Sequence, residues 1–129
     1  LTQATTATAM EACPRATPPW RDQPFHQTYR GDLTDADPRV PDDNSPYDSY
    51  QVAVGEGRTL VASFTSDAFD TYLWLIGPDG NSVVQDDDGG GGTNSLIRYA
   101  AAVGGTYTLR ANAYDGSGRG PYVLDVRIE

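Results

Sequence analysis

From residue 28 onward, apolar residues alternate with polar ones in short runs, and turn-forming residues interrupt these runs about every ten positions. Alternation at every second residue sorts side chains onto the two faces of a strand. Tyr50, Val52 and Val54 share a face in this way, as do Leu60, Ala62 and Phe64, and as do Tyr122, Leu124, Val126 and Ile128. The pattern predicts strands over 28–33, 50–54, 59–65, 71–76, 82–85, 95–101, 105–113 and 122–128. Gly77-Pro78-Asp79-Gly80, set between two apolar runs, marks a hairpin, because proline presets φ and glycine tolerates positive φ. Gly104-Gly105 and Gly116-Ser117-Gly118 mark further turns. No helical period and no internal repeat interrupts the series, which excludes a doubly wound α/β fold and implies an all-β, antiparallel sandwich of about eight strands.

Residues 1–27 differ. They are rich in Thr, Ala and Pro and keep neither period, so they read as an extended N-terminal arm or linker ahead of a sandwich domain over 28–129. Residues 5–12 have the composition for two helical turns, which are marginal without packing, and Pro14, Pro18 and Pro19 end them. A chain of 129 residues, 38% hydrophobic, suits one core.

Charge narrows the partners. The net charge is −9, the basic residues are all Arg, and Asp outnumbers Glu fifteen to three. Asp competes for backbone bonds in turns, so this charge belongs mainly to loops. An acidic surface without a basic patch excludes nucleic acid as a partner, and the absence of a long apolar run excludes membrane insertion. The N-terminus shows no basic region followed by an apolar stretch, so any secretion signal is expected to be gone already. Cys13 has no second cysteine to pair with inside the chain; it reads as an incidental thiol of the arm or as an intermolecular link.

Catalytic chemistry finds little support. His26 is the one histidine and sits in the arm, where a Ser-His-Asp triad could not be held rigidly, and one His with one Cys makes no zinc site. Paired-carboxylate hydrolysis has the residue types and no other signal. The chain is expected to be no enzyme. Asp86-Asp87-Asp88 followed by four glycines permits two readings. A tight loop gathers several oxygens around Ca²⁺, which takes six to eight, with Asp70 and Asn94 as neighbours. Equally, the carboxylates accept backbone N–H groups while the glycines supply positive φ. The alternation of an EF-hand is missing. Asp42, Asp43, Asn44 and Asp48 form a second acidic cluster, read either as metal ligands or as plain solvated loop charge. The aromatic residues are open too: Tyr72, Trp74, Tyr99, Tyr107, Tyr114 and Tyr122 fall on or beside strands, as a polymer-binding row or as core. Within 70–76 both strand faces are apolar, which fits a central strand covered on both sides.

Several of these motifs stand in register with one family. Phe69-Asp70-Thr71-Tyr72-Leu73, the Pro78-Asp79-Gly80 turn, the run from Asp86 to Ile97, Gly105-Thr106-Tyr107-Thr108 and Gly120-Pro121-Tyr122-Val123-Leu124 together resemble the bacterial pre-peptidase C-terminal domain. Gly31-Asp32-Leu33, Asp37-Pro38 and Tyr47-Asp48-Ser49-Tyr50 resemble its opening segment, so the likeness spans 30–129. It implies a jelly-roll-like sandwich, appended to or cut from a secreted protein, with no catalysis of its own. Some relatives, such as the collagen-binding domains of clostridial collagenases, bind calcium and extracellular polymers. The resemblance places calcium ligands near Asp48 and polymer-binding tyrosines on the later strands, here Tyr107, Tyr114 and Tyr122. The expected function is an extracellular accessory or binding domain whose partner is an extracellular protein or polysaccharide. The alternative is a structural subunit of a cell-surface matrix, assembling with copies of itself through the Thr-rich arm.

Overall fold

Residues 25–114 and 116–129 are described in the computed structural model of the chain. They contain no helix and eight antiparallel strands: β1 (Phe25–Leu33), β2 (Tyr47–Val54), β3 (Thr59–Thr65), β4 (Thr71–Ile76), β5 (Ser82–Asp86), β6 (Ser95–Ala100), β7 (Gly105–Ala113) and β8 (Gly120–Ile128). Two four-stranded sheets pack together, one in the order β1-β8-β3-β6 and the other β2-β7-β4-β5. That order is a jelly roll: each sheet draws strands from both halves of the chain.

The alternation read in the sequence is what closes the sandwich. Leu60, Ala62, Phe64, Leu124 and Val126 from one sheet meet Leu73, Leu75, Leu109, Ala111 and Val52 from the other, all fully or nearly fully buried. Phe64 packs edge-on to Tyr122 with ring centroids 5.3 Å apart. At the predicted hairpin, Gly80 N–H donates to the Gly77 carbonyl (3.0 Å) with φ of +87° at Gly80, and the β4-β5 register shifts beside it. One extra residue on one strand produces such a shift.

Two boundaries depart from the sequence reading. β1 begins at Phe25 rather than at residue 28, because β8 runs on to Ile128 and offers Phe25, His26 and Gln27 a backbone partner. β2 begins at Tyr47 for the same reason, paired with Asn112 of β7. Ladder bonds need no alternation, so polar segments join a strand wherever a partner continues. The remainder of the expected arm, with Glu11, Cys13 and Asp22, lies outside the described residues.

Candidate functional site

Strand parity decides which side chains point away from the core. On the β2-β7-β4-β5 sheet the outward set comprises Tyr47 and Ser49 from β2, Thr108, Arg110 and Asn112 from β7, Tyr72, Trp74 and Ile76 from β4, and Gln85 from β5. Tyr114 follows directly after β7. The aromatic members touch one another: Tyr72 lies 5.3 Å from Trp74 and 5.9 Å from Tyr114 between ring centroids. The Arg110 guanidinium sits between neighbours from the two flanking strands, 4.4 Å from the Tyr47 ring and 5.4 Å from the Trp74 ring. β4 is therefore central within its sheet but covered on one side only. Tyr72, Trp74 and Ile76 were expected under a second layer; instead they are half-buried against each other. Hydrophobic pattern alone does not separate a covered face from a self-stacked aromatic one.

A chain of hydrogen bonds fixes this face. Trp74 Nε1–H donates to Asn112 Oδ1 (3.1 Å), and the buried Asn112 amide donates to Ser45 Oγ (2.9 Å) and to the Pro46 carbonyl (2.7 Å). Ser45 Oγ donates in turn to Asp43 Oδ1 (2.6 Å). Tyr72 donates its hydroxyl to Gln85 Oε1 (2.7 Å). Burial first, then the negative charge of Asp87, Tyr114 and Asp43, pushes the Tyr72 hydroxyl pKa up. It stays neutral, and Asp87 and Asp43 are close enough to edge the aromatic patch with negative charge. Such a face is held in one arrangement before any partner arrives.

The expected metal ligands separate. Among the described residues only Asp86, Asp87 and Asp88 bring three acidic side chains together, with one oxygen from each within 4.8 Å of the others. Asp86 is already engaged: its Oδ2 accepts the N–H groups of Gly89 and Leu96, both at 2.8 Å, across the β5-β6 loop. Gly91 and Gly92 take φ of +95° and +62° there. The staple reading accounts for the two bonds that Asp86 makes, while Asp87 and Asp88 are left to other roles. Asn94 is spent on the loop as well, its Oδ1 accepting Ser66 N–H (3.2 Å). Asp70 is exposed and its carbonyl accepts Tyr114 N–H, so it stands outside the acidic trio.

The second acidic cluster also divides. Asp42 and Asn44 are exposed, and Asp43 caps Ser45. Asp48 turns to the other side of its strand, where Tyr122 donates to Asp48 Oδ2 (2.5 Å) and Tyr50 and Tyr122 hydroxyls share a further bond. Burial, offset by the Tyr122 bond and reinforced by Asp37 and Asp32, raises the Asp48 pKa to about 6. Gly31 makes room for this network: a Cβ there would lie 2.5 Å from Tyr122 Oη. Asp42, Asp43 and Asp48 are near in sequence, yet Asp42 and Asp43 stand in the turn before β2 while Asp48, inside β2, faces Tyr122.

Of the three tyrosines expected to bind polymer, Tyr107 and Tyr122 are 2% and 3% exposed and belong to the core. Tyr114 is 51% exposed and lies on the aromatic face. Sequence reasoning missed Tyr47 and Arg110. Their signal was parity, since Arg110 shares its side of β7 with Asn112 and the following Tyr114. A groove of about 410 Å³ also opens elsewhere, lined by Arg30, Asp32, Ser66, Asp67 and Asn94 beside Tyr122. His26 lies apart from it, bonded to Asp125 (2.7 Å) on the exposed side of β1.

An eight-stranded jelly roll with one ordered aromatic face defines the class of molecule. The family model of the bacterial pre-peptidase C-terminal domain matches residues 46–113, from β2 through β7, and the chain belongs to that family. Motifs read upstream of residue 46 and in β8 lie beyond the matched stretch. No individually curated protein matches the chain. Among solved structures, the fold is shared with Aeromonas hydrophila PliG, a periplasmic lysozyme inhibitor of g-type lysozyme, at a TM-score of 0.60 and 14% identity over 81% of this chain and 86% of that one.

Proposed function

We propose that this chain is a non-catalytic binding domain of the periplasmic or extracellular space, and that it receives a protein partner on the outer face of the β2-β7-β4-β5 sheet. One observation carries the reading: Tyr47, Tyr72, Trp74, Tyr114 and Arg110 share that face within ring-contact distance of one another. Tyr, Trp and Arg are the residues that dominate protein interface energetics, and a ring of Ser, Thr and Gln around them suits the role of water-excluding rim. Family membership supports an accessory role, and the similar fold of PliG, a periplasmic inhibitor of g-type lysozyme, supports a protein as the partner. The net charge of −9 favours a basic one.

The test is retention of basic extracellular proteins, g-type lysozyme included, on immobilised chain, beside extracellular polysaccharides. A basic protein should be retained, and the Tyr72→Ala/Trp74→Ala double variant should lose it while Ser63→Ala on the opposite sheet keeps it. Retention of polysaccharide alone, or equal retention by both variants, would sink the reading. Assembly through the arm rests on residues 1–24, outside the described residues, and light scattering of the full chain tests it separately.

A further inference from the structure

Arg110 is an anomaly on this face. Arginine carries five N–H donors in a planar fork. Here Nε is shut away from solvent without an acceptor, and no described residue accepts from either terminal nitrogen. The other guanidinium groups whose bonds are known behave differently: Arg98 and Arg127 pair with Glu129, Arg119 and Arg39 with Asp35. No described carboxylate forms an ion pair with Arg110. Tyr47 from β2 and Trp74 from β4 hold the guanidinium, its carbon 4.4 and 5.4 Å from the two ring centroids. The edge of a fixed fork matches the two oxygens of a carboxylate. Because Nε is closed off from solvent, an outside acceptor has to meet the guanidinium through its two terminal nitrogens.

We infer that Arg110 is the anchor of the binding face and takes a carboxylate, an Asp or Glu side chain or a chain terminus, presented by a basic protein surface. This rests on the face proposed above and names what it recognises. Asp43 and Asp87 near the Tyr72 end, with the overall charge of −9, repel a polyanion, so a carboxylated polysaccharide fits poorly. A neutral glycan brings no acceptor of matching charge. A carboxylate surrounded by Lys or Arg satisfies both the fork and its acidic rim.

The full chain labelled with ¹⁵N serves as the reporter, titrated with a short capped lysine-rich peptide bearing one central glutamate, with the same peptide bearing glutamine, and with oligogalacturonate. The Arg110 Nε–H and Trp74 Nε1–H resonances should move with the glutamate peptide, which should bind at least about tenfold tighter than the glutamine one. Arg110→Met should abolish that difference, and Arg110→Lys, which keeps charge and loses the fork, should remove most of it; amide spectra of both variants report that the fold is intact. Equal affinity of the two peptides with Trp74 still perturbed would overturn the role of Arg110 and leave the face standing. Perturbation confined to residues off the face, or no perturbation at all, would overturn both. Tighter binding of oligogalacturonate would replace the basic protein with an acidic glycan.

Discussion

The two outer faces of the sandwich are built from the same strand alternation and end up unlike. On the β1-β8-β3-β6 sheet the outward positions carry His26, Thr28, Arg30, Asp125, Arg127 and Arg98, and apart from the exposed Arg30 the charges find partners: Asp125 accepts from Thr28 and pairs with His26, and Glu129 receives Arg98 and Arg127. On the β2-β7-β4-β5 sheet the outward positions carry aromatic rings and one arginine whose enclosed Nε has no acceptor among the described residues. A face whose charges are matched internally has little left to offer a partner, because an exposed ion pair is already solvated and screened. A face of rings with one unmatched fork has both apolar area and an unused donor set. This difference is the ground for proposing the second sheet, rather than the first, as the binding face.

The largest effect should separate inner from outer tyrosines. Tyr107→Ala or Tyr122→Ala removes a core ring and should cost about 3–5 kcal/mol in urea unfolding. Tyr72→Ala and Tyr114→Ala should each cost no more than about 1.5 kcal/mol. An outer tyrosine as costly as an inner one would make the aromatic face a structural layer.

Next comes the pH response of the network behind the faces. Asp48 has its folded pKa raised to about 6, above that of an unfolded aspartate, so the folded state binds the extra proton and stability from this group falls as pH rises from about 4 to about 6. Asp48→Asn mimics the protonated form, donating toward Asp37 while accepting from Tyr122. Its melting temperature should exceed that of the parent at pH 7 and match it at pH 4. Asp125, whose pKa is lowered by the Thr28 and His26 bonds, works in the opposite direction on the opposite face, losing stability as pH falls through its lowered value. A variant that stays parallel to the parent across this range would remove Asp48 from the account.

Smaller still is the paired replacement of two arginines. Arg98→Met breaks an exposed ion pair and should destabilise by less than about 1 kcal/mol. Arg110→Met removes an enclosed donor without an acceptor and should leave stability unchanged or raise it by about 1 kcal/mol. Equal losses at the two sites would show that Arg110 holds the fold as an ordinary surface arginine does. The smallest effect belongs to the loop between the sheets. Asp86 already closes it with two backbone bonds, so millimolar Ca²⁺ should shift Tm by less than about 1 °C. A rise of several degrees, reversed by chelator, would instead make Asp86, Asp87 and Asp88 a metal site.

Sequence by itself determined the strands and the family. Alternation at Leu60-Ala62-Phe64 and Leu124-Val126-Ile128, with Gly80 closing a hairpin, places them because strand period and turn chemistry are local properties. The run from Asp86 to Gly92 was legible as a tight loop on the same ground. Which side of a strand meets the other sheet is not local. Tyr107 and Tyr114 looked alike along the chain, and the packing of one sheet on the other put the first in the core and left the second at the surface. Asp42 and Asp48 looked like one cluster, but Asp42 stays in an exposed turn while Asp48, inside β2, turns to Tyr122. Only the tertiary structure set Tyr47 from β2, Arg110 from β7 and Trp74 from β4 side by side, because cross-strand register joins residues far apart in sequence, and the absence of an acceptor for Arg110 among the described residues exists only once that register is fixed.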